Sequence, residues 1–281
     1  MQVITEIQAL RDALTWRRSK NSVGLVITKG SLHQGHTALI GASLAGNPIT
    51  VVACYAGTNL FTDAEAAQQY PHNPKADEEL LAELGVDILF RPAEADLYPD
   101  GETPRTRVDL PLLGPSAEDP AGRNHSIELV TLALKLCQIV QPQNLVYGEK
   151  HFQQLVLTRR MVQAFNLPLQ VRSVPIVREP DGLAVATRNE LLSSTERAQA
   201  PVLYRTLRDV GEALKDGASH LERLEQTARV ALKGAGFRTD YVRICDARTL
   251  GPVTDSSRAL RILGAARLGE AQLQDNIAFS R

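Results

Sequence analysis

The feature that most constrains this fold is an alternation. From Val23 to Val174, short apolar runs rich in β-branched residues take turns with longer runs whose apolar residues recur at helical spacing. The short runs are Val23 to Ile27, Ile49 to Tyr55, Val86 to Phe90, Leu145 to Tyr147 and Leu169 to Val174. Continuous apolar runs of this kind are expected of strands buried on both faces of a parallel sheet. Helical stretches lie between them at Thr37 to Ala45, Lys75 to Leu84, Ile127 to Val140 and Phe152 to Phe165, with Gly85 as a C-cap and Pro92 stopping the strand before it. Alternating β and α units with right-handed crossovers imply a doubly wound α/β sheet, whose ligands sit at the carboxyl ends of its strands.

The flanks differ. Val3, Ile4, Ile7, Leu10, Leu14 and Trp16 predict an amphipathic helix over residues 3–17. Residues 92–123 hold many prolines and glycines and little periodicity, so they read as long loops with a short strand near Arg107 to Leu110, of the kind that borders an active site. After Pro175 the alternation gives way to a turn at Glu179-Pro180-Asp181-Gly182, helices over Thr195 to Leu214 and Leu221 to Leu232, and strands Tyr241 to Cys245 and Ala259 to Leu263. This predicts a domain over 1–175 and a smaller α+β domain over 176–281. With 281 residues and 43% hydrophobic content, the chain can bury cores for both.

Composition narrows the partners. The 31 basic and 32 acidic side chains nearly cancel, so no general attraction to nucleic acid or anionic lipid is implied. No apolar run reaches the roughly 18 residues of a membrane span, and Glu6 and Arg11 interrupt anything resembling a signal peptide. Three widely spaced cysteines in apolar runs, Cys54, Cys137 and Cys245, favour buried thiols in a reducing compartment, so a cytoplasmic location is expected.

Chemistry concentrates first in Ile27-Thr28-Lys29-Gly30-Ser31-Leu32-His33-Gln34-Gly35-His36, between a strand and a helix. Gly30 and Gly35 leave room for backbone to approach a phosphate, and helix amides favour negative charge. Two imidazoles three residues apart can stabilise charge on a leaving pyrophosphate. Half of a zinc site and two unrelated loop histidines are the other readings of the same spacing, although a third metal ligand is not evident. A second segment, Gly148-Glu149-Lys150-His151-Phe152-Gln153-Gln154, places a lysine at a helix start, where the dipole does not help it unless an anion is present. A third, Thr187-Arg188-Asn189 after Gly182, suits a loop gripping phosphate with a guanidinium, or a plain interdomain loop.

These segments together resemble the pantothenate synthetase family of the HIGH-motif nucleotidyl transferases. The likeness is carried by the Gly30 to His36 signature, the Gly-Glu-Lys-x-aromatic-Gln-Gln segment at 148–154 with the Leu-Val-Leu-Thr-Arg-Arg-Met-Val that follows, and the Thr-Arg-Asn loop. Tyr70-Pro71, Asp77, Tyr98-Pro99, Val140-Gln141-Pro142, Asp246 and the closing Ala-Ala-Arg-Leu-Gly extend it through nearly the whole chain. The resemblance implies a Rossmann-like first domain binding ATP and acid, a C-terminal lid, a homodimer, and an ATP- and Mg2+-dependent, AMP-forming ligase. Such an enzyme adenylates a small carboxylic acid, pantoate in the family, and passes the acyl group to a small amine, β-alanine. A nucleotide-binding homologue without ligase chemistry is the second class; nucleic acid and membrane are not expected partners, and no protein-bound metal is.

By the same resemblance His33, His36, Lys150 and Arg188 are the catalytic set. Thr28, Lys29, Gly30, Gly35, Gly148, His151, Val177, Ala186 and Thr187 complete the nucleotide contacts, and Thr28, Gly57, Leu60, His125, Glu128 and Gln154 fall at the acid substrate. The chain departs from the family in this last group. Lys29 stands for a methionine, Gly57 and Leu60 for an asparagine and a glutamine, and His125-Ser126-Ile127-Glu128 for a His-Phe-Arg/Ala-Gly segment. His151 replaces an aspartate and Ala186 a serine. A site built to bond a hydroxyl can reject an analogue lacking it by about 10,000-fold, so these changes predict relaxed or redirected acid choice rather than lost adenylation, the alternative being a member that keeps the family acid with polar contacts supplied from elsewhere.

Overall fold

The computed structural model describes residues 1–18, 20–61, 68, 70–99, 101, 106–110 and 123–280. Their elements run β1 (Gln2–Ile4), α1 (Ile7–Arg18), β2 (Val23–Thr28), α2 (Gln34–Gly46), β3 (Ile49–Cys54), α3 (Pro74–Glu83), β4 (Ile88–Phe90), α4 (Glu94–Leu97), α5 (Arg123–Val140), β5 (Asn144–Gly148), α6 (Phe152–Ala164) and β6 (Gln170–Val174). Then follow α7 (Ser194–Gln199), α8 (Val202–Lys215), α9 (Leu221–Gly234), β7 (Arg238–Asp246), β8 (Ala259–Leu268) and β9 (Ala271–Ser280). Among the described residues the chain divides into two compact units. The first holds Met1–Leu110, residues 123–149 and Leu157–Pro175; the second holds Lys150–Val156 and Ile176–Arg281.

The first unit is built on a six-stranded sheet in the order β1-β4-β3-β2-β5-β6, all neighbours parallel. Side chains alternate across it. Val23, Leu25, Val51, Ala53, Ile88, Phe90 and Leu145 join Leu10 and Leu14 of α1 and Leu132 and Leu136 of α5 in one core. Val26, Val52, Leu89 and Val146 join Ile40 of α2 and Leu81 of α3 in the other. Both faces are covered, which is why the strands read as continuous apolar runs. The chain leaves β2 toward β3 on one side and later returns to β5 on the other, so the sheet's switch point lies between β2 and β5. Ligands of such sheets bind beyond the carboxyl ends of the strands at that point. Gly30 follows β2 and Gly148 ends β5.

The second unit's sheet is antiparallel, β7-β8-β9, with α8 and α9 packed on it. Leu203, Leu207, Val210 and Leu214 of α8 are buried against Val242, Ile262 and Leu273, the helical spacing of an amphipathic face.

Four expectations change. The opening helix starts at Ile7, because Gln2–Ile4 extends the sheet as an edge strand: Gln2 N–H donates to Asp87 O at 2.8 Å and Arg91 N–H to Ile4 O at 2.8 Å. The helix expected over Thr195 to Leu214 is two helices, broken at Pro201, which has no N–H to continue the ladder. No strand forms at residues 107–110; the Val108 amide donates instead to Thr131 Oγ1 at 3.0 Å. Residues 111–122 of the expected loop lie outside the described residues. Finally, β8 is longer than expected and β9 was not anticipated.

Candidate active site

The segment between β2 and α2 is held partly by its own atoms and partly by Asp77 of α3. Gly30 has φ 86° and Ser31 φ 52°, two consecutive left-handed residues. A Cβ on Gly30 would come within 3.0 Å of Asp77 Oδ2, so the turn needs glycine for conformation and for space. Ser31 has no such excuse and is strained there. Asp77, buried in the first turn of α3, holds it by accepting the Ser31 and Leu32 amides, both at 2.8 Å. Gly30 N–H donates to Thr28 Oγ1 at 3.1 Å.

The two histidines cap the helix that follows. His33 is the N-cap of α2, and its Nδ1 accepts the Gly35 amide at 3.0 Å; His36 Nδ1 accepts the His33 amide at 3.3 Å. This is a capping box made of imidazoles, with ring centroids 4.1 Å apart. A Cβ on Gly35 would lie 2.8 Å from His33 Cε1, so a larger residue would push the cap away. Because each Nδ1 is an acceptor, the proton of each neutral ring sits on Nε2, giving a pair of N–H donors. The expected route to phosphate through backbone changes accordingly. The amides of Gly30, Ser31, Leu32, His33 and Gly35 are all engaged by protein acceptors, so they do not form an open nest for an anion.

A cavity of about 200 Å3 opens beside this loop, lined among others by Thr28, Gly30, Cys54, Gly57, Asp77 and Arg91. It brings three predicted contact residues, Thr28, Gly30 and Gly57, to one space. Gly57 caps the short turn Thr58–Leu60. Leu60, expected at the substrate, is 1% exposed inside the core with Tyr55 and Phe61 and offers a substrate no surface. Its carbonyl instead accepts a hydrogen bond from Lys29 Nζ at 3.3 Å. That ammonium also lies 4.5 Å from the Phe61 ring centroid and 5.6 Å from that of Tyr70, whose hydroxyl donates to Gly30 O at 3.1 Å. Lys29 therefore ties Leu60, Phe61 and Tyr70 to the glycine turn, through cation–π as well as hydrogen-bonding attraction. Glu128, buried on α5, is held by Arg107 Nε at 3.3 Å; His125 is half-buried one helical turn before it. Gly148 has only ordinary contact with Leu39, so space does not demand glycine there.

The cysteines are poor nucleophiles. Burial, reinforced at Cys54 by Asp77, pushes that thiol up to about 11, and burial pushes Cys137 and Cys245 up to about 12.

In the second unit Lys150 lies in the turn Glu149–His151 that leads into α6. Burial, and next the Arg188 guanidinium, pull its ammonium down to about 8, against the opposing pull of Asp275. A desolvated cation beside another cation is a site waiting for negative charge. Arg188 sits in the turn Thr187–Leu191 capped by Ala186, with buried Thr187 next to it, and its Nη1 donates to Gln272 Oε1 at 3.3 Å. Val177 O accepts the Val185 amide at 3.0 Å, closing the hairpin that presents this turn. His151 and Gln154 are half-buried beside Lys150 in sequence.

Sequence reasoning missed the supports of these residues. Asp77 has no task in the sequence beyond its part in the resemblance. Arg178, Gln272, Asp275 and Asn276 carry no local signal, since the bonds that bring them to Asp275, Arg188, Arg178 and Lys150 span 84 to 126 positions.

Comparison with known proteins identifies the family and the fold. The profile of the family described as Pantoate-beta-alanine ligase matches residues 2–278. Pantothenate synthetase of Pseudomonas fluorescens (strain Pf0-1) is 39% identical over 278 residues, covering 99% of this chain and 97% of its own. That of Thiobacillus denitrificans is 40% identical over 281 residues, covering 99% and 96%. A crystal structure of pantothenate synthetase from Thermus thermophilus superposes with TM-score 0.88 at 37% identity over 99% of both chains. The ligase of Francisella tularensis, solved with Beta-gamma ATP and Beta-alanine, gives 0.80 at 29% identity over 99% of this chain and 97% of its own. With a family profile over residues 2–278 and relatives 39% and 40% identical over nearly the whole of both chains, the chain belongs to the pantoate-beta-alanine ligase family.

Proposed function

We propose that the chain is an ATP-dependent, AMP-forming ligase that joins a small carboxylic acid to a small amine, with pantoate and β-alanine as the family pair. The observation that carries this reading is the donor chemistry found in each unit: in the first, two imidazoles oriented by their own capping bonds; in the second, a desolvated lysine beside an arginine. All four are donors, the chemistry that a triphosphate's oxygens require. The F. tularensis relative, solved with a nucleotide and β-alanine, supports the same substrates.

In the proposed reaction an acid carboxylate oxygen attacks the α-phosphorus, the bond to the bridging oxygen breaks, and pyrophosphate leaves. The amine nitrogen then attacks the acyl carbon, loses a proton, and AMP departs. His33 and His36 would donate from Nε2 to phosphate oxygens, while Lys150 and Arg188 would neutralise the charge gathering on the leaving group. Mg2+ would be carried by phosphate oxygens and water, as is its habit with nucleotides, because Asp77, the carboxylate beside the loop, already spends both oxygens on amides. We assign ATP and acid binding to residues 1–175 and a lid role to 176–281, and take the assembly to be a cytoplasmic homodimer. Among the described residues no helix is long and apolar enough to cross a membrane.

The substituted residues bear on acid choice. A changed acid remains the reading that Gly57 favours, since it removes a side chain at the cavity wall. The new charges favour the family acid, because Lys29 is engaged by Leu60 O and two rings and Glu128 by Arg107. Incubation with ATP, pantoate and β-alanine tests this: AMP, pyrophosphate and an amide of pantothenate mass are expected. Turnover only with another acid selects the changed-substrate reading, and ATP binding without turnover on any acid defeats both.

A further inference from the structure

Strand β9 carries more polar character than a stabilising strand needs. Asp275 and Asn276 are 5% and 3% exposed, and Arg261 beside them on β8 is 6% exposed, in a sheet that otherwise buries Leu260, Ile262, Leu268 and Leu273. Buried polar groups cost stability unless matched, and well-packed apolar residues would serve the core as well or better. Here the matching is complete and long-range. Asp275 takes Arg178 on both oxygens, at 2.6 and 2.9 Å. Asn276 Oδ1 accepts from Arg261 Nε at 2.6 Å, and Asn276 Nδ2 donates to the Lys150 carbonyl at 3.0 Å. The Arg261 guanidinium lies 4.0 Å from the ring centroid of Phe152, two residues beyond Lys150.

The Lys150 turn is thus held at two points, one on its own carbonyl and one on the ring that follows. The orientation of the Asn276 amide is fixed as well. Arginine can only donate, so Oδ1 must face Arg261, which leaves Nδ2 for the Lys150 carbonyl. Aspartate has the same shape but would set an acceptor against that carbonyl.

We infer that Asn276 is a positioning residue for the adenylation step: with Arg261 and Phe152 it holds the Glu149–His151 turn so that the Lys150 ammonium meets the triphosphate in a single placement. The inference rests on the reading of Lys150 as a phosphate ligand. In this role Asn276 acts through the backbone of residue 150. Misplacing a reacting group by about 1 Å can cost on the order of 100-fold in rate.

The test is a double-mutant cycle on the full-length protein, with acid-dependent pyrophosphate formation as the rate and thermal unfolding as the control for folding. Asn276→Asp is expected to lower kcat by about 10- to 100-fold with KM for ATP little changed. In a Lys150→Ala background the same change is expected to cost less than about threefold, since no ammonium is left to misplace. Arg261→Lys keeps a donor for Asn276 but loses the flat face on Phe152, so it should fall in the same direction and should likewise lose its effect without Lys150. This second variant carries the test if Asn276→Asp does not fold. Equal losses in both backgrounds, or an unchanged kcat in Asn276→Asp, overturn the inference while leaving the role of Lys150 intact. A Lys150→Ala enzyme as fast as wild type overturns the reading of Lys150 itself.

Discussion

The two halves of the donor set are supported in opposite ways. The histidine pair is held by bonds spanning two or three residues: His33 to Gly35, and His36 to His33. Lys150 and Arg188 are held by β9, across 126 and 84 positions. A locally capped pair can be read from its own segment, and it forms when the helix forms. A pair held from a distant strand exists only once the antiparallel sheet is complete. The first arrangement orients the imidazoles by local bonds, with Asp77 bracing the turn just before them, while the second depends on buried polar contacts that contribute position at some expense of stability.

The comparison is sharpest where support is removed. Arg178→Ala would strand the buried Asp275 carboxylate, and loss of one partner of such a pair costs about 3–5 kcal/mol. Urea unfolding should show that loss, far beyond what any change at the local cap produces. Lys150→Ala should lower acid-dependent pyrophosphate formation by about 100- to 1000-fold. His33→Ala and His33→Asn separate the two tasks of the local pair. Both lose the Nε2 donor and should lose about 100-fold in rate, whereas alanine also loses about 1 kcal/mol of helix capping that asparagine keeps. Equal stability of the two variants would break the assignment of His33 as a cap. Asp77→Ala strips two amides in the strained turn and should cost about 1–3 kcal/mol, which thermal unfolding reads.

The smallest effect is the most diagnostic of the distant pair. In the free protein Lys150 loses its proton near pH 8, well below the ordinary 10.5 of a lysine. Phosphate charge favours the protonated form, so ATP binding should take up protons between these two values and weaken as pH rises above 8. Calorimetry in buffers of different ionisation heat measures the uptake. The same depression means the folded state binds fewer protons than the unfolded state in that window. Lys150→Met should therefore raise the melting temperature at pH 7, with an advantage that shrinks as pH climbs toward 10.5.

How much of this was legible follows the same division. The parallel sheet showed in Val23 to Ile27 and Ile49 to Tyr55 because burial on both faces leaves no polar alternation to confuse. The glycine turn and its histidines were legible for their spacing, although the fate of their amides was not, since that depended on Asp77 arriving from α3. The β9 strand is hard to see in the sequence because Gln272, Gln274, Asp275 and Asn276 give it the look of a loop, and it is backbone pairing with β8 along its whole length that makes a strand of it. Leu60 is a related case: the resemblance places it at the substrate, and its side chain lies in the buried core that also holds Tyr55 and Phe61. The break at Pro201 was there to be read, and a continuous Leu and Ala spacing hid it.

The central claim is that the imidazoles and Lys150 serve one adenylation step, before the amine takes part. Exchange of labelled pyrophosphate into ATP tests it most directly. The account predicts exchange that requires the acid, needs no amine, and is lost on substituting His36 or Lys150 alone. Exchange that demands the amine, that proceeds without acid, or that survives either substitution would contradict it.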